Sequence, residues 1–191
     1  MKGHVWVVHD NEGSESDAGA ILERGSSTSK EIGEFVPINY EHIRKDGREF
    51  PAIPDSVVDL VTMNQGLHHL PPAQIKDFLI SVHRILKPGG LFITREHALD
   101  DAKTLMPMLD CAHMVFNALT GVTPPLERGE LRGFRSILEW RTILESCGFR
   151  DTLIYEMQPS DPTKDIMLVF AKVIPGEEGA TALALATSSA Q

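Results

Sequence analysis

The sequence predicts an α/β fold on a mostly parallel sheet, and three features of its 191 residues carry that expectation. An apolar run rich in β-branched residues, Val57 to Met63, lies between Pro54-Asp55 and Asn64-Gln65-Gly66, and reads as a strand buried on both faces. An amphipathic stretch follows, with Ile75, Phe78, Leu79, Val82, Ile85 and Leu86 at helical spacing. A second apolar run, Leu91 to Thr94, comes directly after it. A helix joining two apolar strands makes them parallel neighbours through a right-handed crossover. In such sheets ligands sit beyond the carboxyl ends of the strands.

The elements follow in order. His4 to Val8 is an apolar strand closing on His9-Asp10, and Glu34 to Asn39 is another, with Pro37 placing it near an end or edge. Asp46-Gly47 marks a turn within Arg44 to Arg48. Pro71-Pro72 opens the amphipathic helix, where a missing N–H costs nothing. Lys87 suits its negative end, Pro88 cannot continue it, and Gly89-Gly90 can adopt the positive φ of a tight exit. Asp100 to Leu119 forms a long helix kinked by Pro107, with Leu105, Met108, Leu109, Ala112, Val115, Phe116 and Leu119 on its apolar side. Gly121 to Gly133 is a loop, Ser136 to Cys147 is helical, and Gly148 ends it. Thr152 to Met157 and Ile166 to Val173 form an antiparallel pair. Residues 1–174 make one domain, and the Gly, Glu, Ala, Ser and Thr composition of 175–191 predicts a disordered tail.

Composition narrows the function. A hydrophobic content of 42% over this length supplies one substantial core. The formal charge of −9 argues against nucleic acid as a partner, since its binders present a basic face. Cys111 and Cys147 lack metal-ligand spacing and read as buried reduced thiols. No run reaches membrane-spanning length and no signal-peptide layout opens the chain, so a cytoplasmic protein is expected. No metal is expected, and the oligomeric state is not legible.

The wording of the central unit is specific. VDLVTMNQGLHHL, followed by a helix ending in RILKPGGLFITRE, resembles the fourth strand, helix and fifth strand of class I S-adenosylmethionine-dependent methyltransferases, particularly the type 11 group. The resemblance extends from about His4 to Val173 and implies a Rossmann-like sheet, S-adenosyl-L-methionine as cofactor and an unidentified methyl acceptor. It also implies that Gly3 to Asp10 is the family's second strand, with Asp10 taking the ribose hydroxyls, and that the first strand and Gly-rich loop are missing from the N-terminus. A second parsing stays open, in which His4 to Val8 is the first strand and Asn11 to Gly19 a degenerate Gly-rich loop.

Candidate site residues gather at strand ends. Asn64 and Gln65 lie where the fourth strand opens toward the cofactor, and Asn39 with Tyr40 follows the third, where the family contacts adenine. Arg95, Glu96 and His97 end the fifth strand. A carboxylate and an imidazole there can bind an acceptor or manage its proton, which makes Glu96 and His97 the catalytic candidates. The competing reading of that triplet is a salt-bridged strand end, with Arg95 pairing with Glu96 or Asp100. His68 and His69 belong to the loop leading into the helix, His113 and Asn117 share a helix face, and Trp140 with Phe134 either roofs an acceptor site or packs a core. The alternative class is a truncated, non-catalytic methyltransferase-like module acting through a partner, or a fragmentary gene product. A nucleotide-binding dehydrogenase is the third reading, against which the LHHL and LKPGG wording stands.

Overall fold

The computed structural model describes residues 3–9, 33–40, 42–45 and 47–174. Asp10, the candidate loop at 11–19 and the expected tail at 175–191 lie outside the described residues. Among the described residues six strands and four helices run in the order β1 (Trp6–His9), β2 (Glu34–Pro37), β3 (Val58–Asn64), α1 (Ile75–Ile85), β4 (Leu86–His97), α2 (Ala102–Leu119), α3 (Pro124–Gly129), α4 (Ile137–Ser146), β5 (Phe149–Met157) and β6 (Asp165–Lys172). A single helical turn, Leu67–His69, links β3 to α1.

The described strands form two sheets. β1 and β2 pair in parallel, and the larger sheet has the order β3-β4-β6-β5. β3 and β4 are parallel, as the helix between them requires, while β6 runs antiparallel to both β4 and β5. The expected α/β architecture, with an antiparallel pair closing the chain, is what the backbone adopts.

Its main core lies between α1, α4 and the sheet. Ile75, Phe78, Leu79, Val82 and Ile85 of α1 meet Phe92, Leu168 and Phe170 of the strands and Trp140 and Leu144 of α4, and Val36 of β2 joins the same cluster. The stripe read from the sequence is therefore the buried one. Arg84, on the opposite side of α1, donates to the carbonyls of Gly47 at 2.6 Å, Ile53 at 3.0 Å and Phe50 at 2.7 Å, which ties the turn after β2 to the helix. α4 starts in a capping box, where Ser136 accepts from the Glu139 N–H and the Glu139 carboxylate accepts from the Ser136 N–H.

Several local expectations change. β3 is not buried on both faces: Leu60 is 50% exposed, because α1 covers only one side of the sheet there. α1 ends at Ile85, earlier than expected, and the backbone is already extended at Leu86, which pairs with Val58. The LKPGG segment thus belongs to β4, with Gly89 at φ +74°. The loop after Gly121 holds a short helix, α3, opened by Pro124-Pro125. α2 keeps Pro107 within its first turns but buries only Leu105 and Leu109 of its expected apolar stripe, and Leu119 is 80% exposed. Cys111 is correspondingly exposed rather than buried. Among the described residues no helix is long and apolar enough to cross a membrane.

Candidate functional site

The carboxyl ends of β3 and β4 lie side by side, with Asn64 in register with Arg95. Beyond β3 the chain turns at Gln65, a non-glycine residue at φ +51°, a left-handed conformation more often held at functional positions than elsewhere. Gly66 follows, and the Leu67–His69 turn drops into the core with Leu67 and His68 fully buried.

Glu96 fixes that turn. Its Oε1 accepts from the Leu67 N–H at 2.8 Å, and its Oε2 lies 2.6 Å from His68 Nδ1 with one proton between them. Burial disfavours the charged form of each partner. It pushes the Glu96 carboxyl up to about 7, and it holds His68 down to about 2, with His69 and His97 nearby acting in the same direction. The imidazole is therefore neutral around pH 7. Its Nε2 is buried and makes no hydrogen bond.

Three more histidines surround His68. His69 Nδ1 donates to the Leu131 carbonyl at 2.9 Å and His97 Nδ1 donates to the Thr163 carbonyl at 3.1 Å. A carbonyl only accepts, so both rings carry a proton on Nδ1. His113, reaching in from α2, has ring contacts with His68, His69, His97 and Phe134, at centroid distances of 5.2, 5.4, 5.8 and 5.2 Å. Burial, reinforced by His68 and His69, lowers it to about 4. Phe134 closes the group from the segment before α4, at 4.9 Å from His68 and 5.5 Å from His97. The Gly133 N–H donates to the His68 carbonyl at 2.7 Å, which pins that segment over the turn.

A polar network flanks the cluster. Arg95 pairs with the buried Asp165 and donates to Gln158 at 2.7 Å, and Gln65 Nε2 donates to Asp165 Oδ2 at 3.0 Å. The other carboxylate oxygen, Asp165 Oδ1, is buried without a partner. On the far side Glu130 accepts from Asn117 and Arg132 at 2.9 Å each. Burial alone would raise its pKa, but those hydrogen bonds outweigh it and hold Glu130 below the usual carboxylate range.

The structure thus brings Glu96, His97, Asn64 and Gln65 to one edge. Asn64 is exposed there, whereas Glu96 is 1% exposed and turned inward onto His68. Arg95 pairs with Asp165, neither Glu96 nor Asp100. Asn39, exposed after β2, offers its carbonyl to the His42 N–H at 3.1 Å. Asp165, Glu130 and Arg132 went unread, since nothing in their local spacing sets them apart. Asn117 binds Glu130, and Trp140 is core at 1% exposure, with the Arg135 guanidinium 4.8 Å from its ring centre.

Comparison with known proteins agrees with this architecture. The methyltransferase domain family matches residues 21–94. An uncharacterised methyltransferase of Synechocystis is 50% identical over 34 residues, 18% of this chain and 16% of that one. The fold is similar to that of an S-adenosylmethionine-dependent methyltransferase from Methanosarcina mazei, with a TM-score of 0.52 at 17% identity over 90% of this chain and 82% of the other. It is also similar to the 1,6-didemethyltoxoflavin N1-methyltransferase of Burkholderia thailandensis, solved with S-adenosylhomocysteine, with a TM-score of 0.51 at 16% identity over 89% of this chain. The chain spans 61% of the length of that enzyme. The family match covers residues 21–94, less than half of the chain, and the likeness to the solved structures shows a shared fold.

Proposed function

We propose that the chain supports methyl transfer from S-adenosylmethionine to an acceptor at the carboxyl edge of β3 and β4. The observation that carries this reading is the meeting of exposed Asn64 and Gln65 with the inward-turned Glu96–His68 pair at that edge. The residues present fit the group. Gln65 uses its amide nitrogen on Asp165, so its carbonyl oxygen is available to a ligand ammonium, and Asn64 offers both a donor and an acceptor. Asp10 at the end of the first apolar strand would take the ribose hydroxyls, and Asn39 would lie toward the adenine. When bound, the cofactor supplies an electrophilic sulfonium methyl.

The chain's own contribution is alignment, exclusion of water and control of a proton. His97 holds its Nδ1–H on the Thr163 carbonyl, which leaves Nε2 as the atom to accept a proton from an acceptor hydroxyl or amine. Glu96 acts one step further back, as a positioning residue that sets the tautomer of His68 and holds the turn. A methyl acceptor is implied, and its identity is left to a screen of small-molecule and protein acceptors with labelled donor.

The experiment has two arms. Calorimetry with S-adenosylhomocysteine should show binding that weakens at least about tenfold in Asp10→Ala and in Asn64→Ala, as expected for lost hydrogen bonds to charged or buried partners. Labelled-donor assays should show His97→Gln slowing transfer without weakening cofactor binding. Absence of cofactor binding by the folded chain would sink the reading in favour of a non-catalytic module.

A further inference from the structure

We propose that His68, His69 and His113 form a binding site for a divalent transition metal, and that zinc(II) is the ion it takes. One ring nitrogen from each residue lies within 4.8 Å of the others, so the three can share one ion. A tetrahedral ion with Zn–N bonds of about 2.0–2.1 Å needs its nitrogens roughly 3.4 Å apart. Inward movements on the order of an ångström close the triangle.

The second observation is independent of that proximity. His68 is 0% exposed, yet its Nε2 has no hydrogen-bond partner. An orphaned lone pair or N–H in such a place costs about 1–3 kcal/mol, and a metal bond removes the cost. Its Nδ1 is held by a carboxylate, and the Nδ1 of His69 by a backbone carbonyl. That is how metal-binding histidines are held, because the second hydrogen bond fixes the tautomer and aims Nε2 at the ion. His113 has ring contacts but no hydrogen bond among the described residues, so both of its nitrogens are available.

The donor set selects the metal. Three imidazoles with no thiolate suit zinc, copper or nickel rather than calcium or magnesium, which demand oxygen. Three histidines with a further position open is a recurring zinc arrangement. The site departs from the sequence expectation of no metal, since its ligands come from a turn and a helix more than 40 positions apart in the chain. It does not depend on methyl transfer.

The test uses the untagged 191-residue chain, stripped with chelator and titrated with zinc chloride by calorimetry, with cobalt(II) as a spectroscopic substitute. The expected result is one zinc per chain with a Kd on the order of micromolar or tighter, and cobalt absorption in the visible range of a four-coordinate nitrogen site. His113→Ala, on a half-exposed helix position, should keep the far-ultraviolet circular dichroism and weaken zinc binding by about 100-fold or more. Glu96→Gln should weaken it about 10–100-fold, as loss of an orienting partner does. His4→Ala and His42→Ala should leave it unchanged. Binding that survives His113→Ala and His69→Ala at full strength, or that is lost equally in His42→Ala, overturns the proposal, as does the absence of stoichiometric binding by the folded chain.

Discussion

Glu96 and His68 meet at 2.6 Å with side chains 1% and 0% exposed, and the same carboxylate also takes the Leu67 N–H. One buried group therefore satisfies two donors on a turn of only three residues. Glu96→Ala strands both donors in a dry environment. Urea unfolding should show a loss of about 2–4 kcal/mol, with Glu96→Gln losing less because it keeps an acceptor oxygen. A loss below about 0.5 kcal/mol for the alanine variant would mean that the turn is held by something else.

Arg84 makes a different kind of anchor. Its guanidinium reaches three backbone carbonyls and the Asp55 carboxylate, a fork that one ammonium cannot reproduce. Arg84→Lys should lower stability by about 1–2 kcal/mol although the charge is unchanged. Proteolysis between positions 47 and 55 should speed up in the variant, and an unchanged digestion rate would show that the fork does not hold this loop.

The two glycines of the LKPGG segment should rank in a definite order. A Cβ at Gly90 would sit 2.9 Å from the Lys87 carbonyl oxygen and 3.2 Å from that of Val58, both backbone atoms. At Gly89 the nearest neighbour is the flexible Ile174 side chain at 3.5 Å, so only the positive φ opposes a substituent. Gly89→Ala should cost about 1 kcal/mol and Gly90→Ala more, about 2–3 kcal/mol. Thermal or chemical unfolding of the pair decides it, and the reverse order would contradict the packing.

His83 gives the acid response a readable component. Burial, with Lys172 adding repulsion, holds its pKa below 6.5, against a weaker opposing hydrogen bond at Gly148. Between the lowered folded value and 6.5 the unfolded chain binds the proton and the folded one does not, so stability falls as pH drops below 6.5. His68 and His113, also lowered, act with the same sign. The ceiling for one proton is a tenfold change in the unfolding constant per pH unit. His83→Gln should flatten the fall between about pH 6.5 and 5.5, and parallel curves for variant and wild type would remove His83 from the explanation.

What the sequence disclosed depended on how local each signal was. The β3, α1 and β4 unit was legible because apolar period, prolines and glycines all lie within about 40 consecutive residues and agree. The end of α1 was misjudged because Leu86 continues the helical stripe while pairing with Val58 as strand. Asn64, Gln65, Glu96 and His97 could be nominated from strand ends alone. The partners that give them meaning could not: Asp165 lies 100 positions from Gln65, and His113 and Phe134 reach His68 only through the fold. Burial on one face of β3 failed for a related reason, since the periodicity of a strand does not say whether a second layer arrives to cover it.

The small satellite core under α2 consists of Leu105, Leu109 and Phe134, separate from the main cluster. α2 also shows Val115 and Phe116 at 53% exposure each, so this helix has little buried surface to lose when it detaches. Its amide protons in 102–119 should exchange with solvent deuterium well ahead of those in β4, where strands on both sides lock the backbone. His113 then sits on a helix that opens ahead of β4 while His68 sits on the turn that Glu96 of β4 holds, and occupancy of the cluster becomes a clamp whose effect is readable as slowed exchange along a single helix.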